Sequence, residues 1–89
     1  MPDQPTSSRI HSAPAVVLGA AVRELRACRD ISQEELGFRA RLHRNYVGAI
    51  ERGEINPTFR TLVTLANGLD VELSGLIRLY EEREEDVRA

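Results

Sequence analysis

The chain predicts an all-α domain of five short helices, and three observations carry that reading. Apolar residues recur every three or four positions along most of its 89 residues, and no run alternates with period two long enough for a strand. The apolar stripes are separated by short polar links that carry cap and stop residues. Ala, Leu, Arg and Glu are plentiful while aromatics make up 4%, a composition that favours helix. Stripes this short must bury against one another, which makes a compact helical domain around one core.

From Pro14 to about Arg29, Leu18, Ala21, Val22, Leu25 and Cys28 lie at helical spacing. Pro14 suits a first turn, where a missing N–H costs nothing. Asp30-Ile31 is a short link. Ser32, with Glu35 three residues on, has capping-box spacing and starts a second helix whose Leu36 and Ala40 face inward. A third helix begins near His43 or Arg44, turns Val47 and Ile50 to the core and stops near Gly53. After the Asn56-Pro57-Thr58 turn, Phe59, Leu62, Val63, Ala66 and Leu69 form the stripe of a fourth. Gly68 or Asp70 ends it, and Leu73, Leu76, Ile77 and Tyr80 make the stripe of a fifth.

Length allows one domain with tails. Residues 1–13 are rich in Pro, Ser and Thr and read as a flexible N-terminal arm. Residues 14–80 hold the ordered domain, and the acidic residues 81–89 extend the fifth helix or fray. No apolar run reaches the length of a membrane span, and the first residues lack a signal-peptide plan, so the expected address is the cytoplasm. Cys28 is the only cysteine, which excludes an internal disulfide and a zinc framework; it reads as a small apolar contact. Two histidines, one cysteine and scattered carboxylates form no nucleophile–base pair and no metal spacing, and there is no glycine-rich phosphate loop. Neither an enzyme nor a cofactor is expected.

The net charge of -2 is unevenly spread, because residues 81–89 hold five acids and two arginines. The remainder is weakly positive. Every basic residue is arginine, the side chain that forks onto phosphate and guanine. So low a total predicts weak non-specific binding to nucleic acid, since that term scales with the phosphates neutralised. Charge alone does not name a partner. Ser32 to Gly53 is more informative, with two short amphipathic segments either side of a tight break and a polar, cationic outer face on the second. A short helix braced by another is the shape that enters the DNA major groove.

The chain resembles the Cro/C1-type, XRE-like helix-turn-helix regulators, whose fold is lambda-repressor-like. The blocks that match are Leu18-Gly19, Val22-Arg23-Glu24-Leu25-Arg26, Ser32-Gln33-Glu34-Glu35-Leu36, Tyr46-Val47, Ile50-Glu51-Arg52-Gly53, Pro57-Thr58, Leu65-Ala66, Leu69-Asp70-Val71 and Leu76-Ile77. They run in the family's order from Leu18 to about Ile77. The segment Tyr46 to Gly53 is also similar to controller proteins of restriction-modification systems. Two positions depart from the family. Arg41 stands where the turn usually holds a left-handed Gly, at a cost of about 1–2 kcal/mol if it keeps that conformation. Gly37 replaces a small Ala in helix 2, at about 1 kcal/mol in helix propensity, while easing close packing.

The resemblance implies a DNA-binding transcriptional regulator of bacterial type, such as a repressor, that reads the groove with helix 3, about residues 43–52. Opposite Val47 and Ile50 the helical wheel places Arg44, Asn45, Gly48, Ala49 and Arg52. Arg44 can fork onto guanine, Asn45 can pair with adenine, and Ala49 can meet a thymine methyl. Gly48 would let the backbone approach the groove wall. Expected phosphate contacts are Gln33 at the helix 2 N-terminus, Tyr46 on the flank of helix 3, Arg52, and the loop to Arg60. Glu54 is an awkward neighbour there and is expected to turn away. His43 can cap the helix, donate to a phosphate or meet a base. Arg26 and Glu51 are paired in the family pattern, which implies a structural ion pair tying helix 1 to the end of helix 3.

Such a domain reads few base pairs, so a homodimer on a palindromic site is expected, with half-sites about 34–36 Å apart. Leu65 and Leu79 lie off the core stripes and are candidates for its seam, or simply broaden those stripes. The same fold also occurs in antitoxins and adaptors whose main partner is a protein. The acidic tail keeps that alternative open.

Overall fold

The computed structural model describes residues 13–88, which form five helices: α1 Ala13–Arg29, α2 Gln33–Ala40, α3 Arg44–Glu51, α4 Phe59–Gly68 and α5 Leu73–Arg88. No strand occurs among the described residues. Helix α1 packs against α3 and α5, α2 against α3 and α4, and α4 against α5. One core joins all five, with Val22, Leu36, Val47, Ile50, Leu65, Leu69 and Leu76 fully buried at its centre. Each such aliphatic side chain contributes about 1.5–3 kcal/mol by leaving water. That burial holds α2 and α3, only eight residues each, which are too short to persist alone.

The helix starts follow the cap chemistry. Ser32 accepts the Glu35 N–H at 3.0 Å and Thr58 accepts the Thr61 N–H at 3.2 Å. Glu35 pairs with Arg39, 2.9 Å away on the next turn. The stops share one device. After α1, α2, α3 and α4 a left-handed residue closes a Schellman motif: Asp30 (φ 56°), Arg41 (φ 61°), Gly53 (φ 77°) and Asp70 (φ 59°). Only one of the four is glycine.

At the α2–α3 turn, Arg41 keeps the left-handed conformation and Leu42 N–H donates to the Gly37 carbonyl at 2.7 Å. Gly37 makes that turn possible, because a Cβ there would run into the Leu42 carbonyl oxygen. The glycine that costs helix propensity is therefore required by the tight turn.

Several expectations need correction. Leu65 is fully buried, because α4 is covered by α2 and α5 on two sides, so it belongs to the core and not to a seam. Phe59 is 70% exposed at the first position of α4, outside the stripe assigned to it. Cys28 is exposed and is not a packed apolar contact. Of the arm, Ala13 is already helical, and the rest lies outside the described residues. Helix α5, by contrast, continues past Tyr80 to Arg88, the first of the two outcomes expected for its end, held by Arg83, which forks onto Glu24 of α1 at 2.9 and 2.8 Å. That grip lowers the Glu24 pKa below its usual value and raises that of Arg83.

Candidate nucleic-acid interface

The end of α3 is fixed from three directions. Its last residue, Glu51, is charged yet only 3% exposed. Arg26 of α1 donates to it twice, from Nε at 2.7 Å and from Nη2 at 3.0 Å, and its Nη1 donates to the Ile31 carbonyl. The Glu51 carboxylate raises the Arg26 pKa further, chiefly through that hydrogen bond. Gln33 of α2 donates to Glu51 Oε1 at 2.9 Å, and Arg23 of α1 donates to the Glu51 backbone carbonyl at 2.8 Å. A buried carboxylate is tolerated only when its oxygens are filled in this way.

Helix α1 also approaches α3 closely. A Cβ at Gly19 would stand 2.6 Å from the Glu51 carbonyl oxygen. Arg23 was not anticipated as a tether, although it lies one turn before Arg26 on the same face of α1, which is a usable signal.

The other end of α3 faces solvent. His43 is its N-cap, and its Nδ1 accepts the Asn45 N–H at 3.0 Å, which leaves Nε2 as the protonated nitrogen of the neutral ring. Arg44 and Asn45 are exposed on the first turn. Arg44 Nη1 lies 3.4 Å from Glu34 Oε2. Ala49 and Tyr46 are half-buried, and Tyr46 packs partly on the core. Arg52 is exposed and forks onto Glu54 at 2.8 and 3.1 Å, which raises its pKa through those hydrogen bonds. Arg60 is exposed on the first turn of α4 and makes no ion pair among the described residues.

Three site expectations change. Gly48 is buried, because Arg52 and Gln33 lie over it; a Cβ there would meet Arg52 Nη1 at 3.0 Å and Gln33 Oε1 at 3.4 Å. Its backbone is covered by those two side chains and does not stand open to a groove wall as expected. The Gln33 amide is directed inward and donates to Glu51, rather than outward from the helix start as expected. Glu54 turns toward the site and takes hold of Arg52.

A family model described as "Helix-turn-helix" matches residues 22–76, which takes in the second half of α1, all of α2, α3 and α4, and the first turn of α5. The chain belongs to the Cro/C1-type helix-turn-helix family. Among its relatives in this family, control protein C.SmaI of Serratia marcescens is 39% identical over 61 residues, covering 68% of this chain and 73% of that protein. The immunity repressor protein of Bacillus phage phi105 is 31% identical over 62 residues, which cover 70% of this chain but only 43% of the repressor. The crystal structure of the restriction-modification controller protein C.AhdI from Aeromonas hydrophila is 42% identical, with a TM-score of 0.71, covering 73% of this chain and 98% of that one. The controller protein C.Esp1396I, at 24% identity and a TM-score of 0.76, shares the fold.

Among the described residues no group of three or more His, Cys, Asp or Glu side chains is placed to hold a metal. No helix among them is long and apolar enough to cross a membrane.

Proposed function

We propose that this helix-turn-helix protein is a sequence-specific regulator of transcription that inserts the outer edge of α3 into the major groove of double-stranded DNA. One observation carries the reading. Arg44 and Asn45 stand exposed on the first turn of a helix whose far end is gripped by Arg23, Arg26 and Gln33. Base readout needs side chains held in fixed register, and the N-terminal half of such a helix is the part that meets base edges. Arg44 forks onto guanine O6 and N7, Asn45 pairs with adenine N6 and N7, and Ala49 approaches a thymine methyl. His43, Tyr46, Arg52 and Arg60 hold phosphates around that edge, together with the N–H groups at the start of α2 beside Gln33. Relatives that are control and repressor proteins support the regulatory reading.

Two copies would read the two halves of a palindrome. We assign their contact to α4 and α5, where Leu79 is half-buried and where Leu62, Ile77 and Tyr80, with Leu18 of α1, line an apolar cleft.

The test is selection of bound sites from a random duplex pool. Recovery of a palindrome, with binding that saturates and weakens steeply with salt, is the expected result. A domain whose partner is another protein recovers no enriched sequence.

A further inference from the structure

The face that carries Arg44 and Arg52 also carries two carboxylates, and each of them holds one of these arginines. Glu54 grips Arg52 in a two-point fork at 2.8 and 3.1 Å, and Glu34 lies 3.4 Å from Arg44. A phosphate-binding surface gains nothing from acids beside its cations. The position of Glu54 is nevertheless built into the backbone. Gly53 takes φ 77° with Val16 packed against it, so that a Cβ there would fall 2.7 Å from Val16 Cγ2. That turn brings the Glu54 N–H to the Ala49 carbonyl at 2.9 Å and sets its carboxylate beside Arg52.

Resting on the DNA-reading function above, we infer that Glu54 and Glu34 are specificity-determining residues, which neutralise Arg52 and Arg44 on random DNA and release them only at a matching site. Non-specific binding is driven by phosphates neutralised, and an arginine already paired with a carboxylate contributes little to it. Freeing that arginine also leaves an acid facing the phosphate backbone. On a random duplex the loose contacts do not offset this, so the pairs stay closed. At a matching site guanine offers Arg44 two acceptors in fixed geometry, the complex closes, and both pairs open. The carboxylates therefore weaken every complex, but the wrong ones most. A protein of net charge -2 that must find one site among many gains discrimination in this way.

The test compares wild type, Glu54→Gln, Glu34→Gln and the double variant on two duplexes. One is the sequence recovered from the random pool, the other a scramble of the same length and composition. Glu85→Gln, on the exposed outer part of α5, makes the same charge change away from the site and serves as the control. All three acids are exposed, so circular dichroism melts are expected to superimpose. The double variant should bind the scramble roughly threefold to tenfold more tightly, with a salt slope steeper by about 1–2, as expected for one or two arginines freed. Its affinity for the selected duplex should rise less, so discrimination falls. Equal gains on both duplexes, or gains no larger than those of Glu85→Gln, overturn the inference while leaving the DNA-reading function standing. A wild-type protein that binds no duplex overturns both.

Discussion

Arg26 and Glu51, twenty-five positions apart in sequence, meet in a two-point ion pair of 2.7 and 3.0 Å that joins α1 to the last residue of α3. The side chains are 19% and 2% exposed, so neither partner can turn to bulk water if the other is lost. Everything the outer edge of α3 presents is aimed by this contact.

Removing the acid should therefore be expensive. Glu51→Ala strands the Arg26 guanidinium and the Gln33 amide, and is expected to cost about 3 kcal/mol, the scale for one partner deleted from a buried pair. In a domain this small, that loss lowers the melting temperature on the order of 15 °C. Denaturant unfolding measures it directly; a loss smaller than about 1 kcal/mol would place the pair among weak surface bridges.

Arg41 holds a backbone conformation that glycine adopts without strain. Arg41→Gly should stabilise the domain by up to about 1 kcal/mol, the relief of left-handed strain less the added freedom of the unfolded chain. Thermal melts of the two proteins decide it. A clear fall in stability would mean that the arginine side chain supplies a contact of its own.

The Glu24 carboxyl, held below its usual 4.5 by the hydrogen bonds from Arg83, makes stability depend on pH in one direction. Such a group contributes fully above its unfolded pKa and loses that contribution as pH falls through its folded one. The stability gap between wild type and Glu24→Gln should be present at neutral pH and shrink as the pH drops below 4.5. Urea unfolding at stepped pH reads it. A gap that does not change with pH would show that the fork does not link α5 to the carboxylate's charge.

Most of the fold was legible because local signals agreed with each other. Ser32 and Thr58 are caps, Leu36 and Ala40 repeat at helical spacing as do Val47 and Ile50, and each signal places the same boundaries. What could not be read depends on partners distant in sequence. The choice between extension and fraying past Tyr80 was open, because the outer part of α5 has no apolar stripe and Arg83 is held by Glu24, fifty-nine positions away. Leu65 is off its stripe yet buried, because a wheel shows one face and α4 has two neighbours. Phe59 is apolar and exposed, since hydrophobicity does not show where a helix leaves its packing partner. The site divides in the same way. The exposure of Arg44 and Asn45 follows from position alone, whereas the burial of Gly48 depends on two side chains folding over it.

Base reading by Arg44 is tested most directly by titrating wild type and Arg44→Ala with the selected duplex and its scramble at one salt concentration. The variant is expected to lose about 1–3 kcal/mol on the selected duplex, to change little on the scramble, and to show relaxed preference at one base position. An equal loss on both duplexes would make Arg44 a phosphate contact and contradict it.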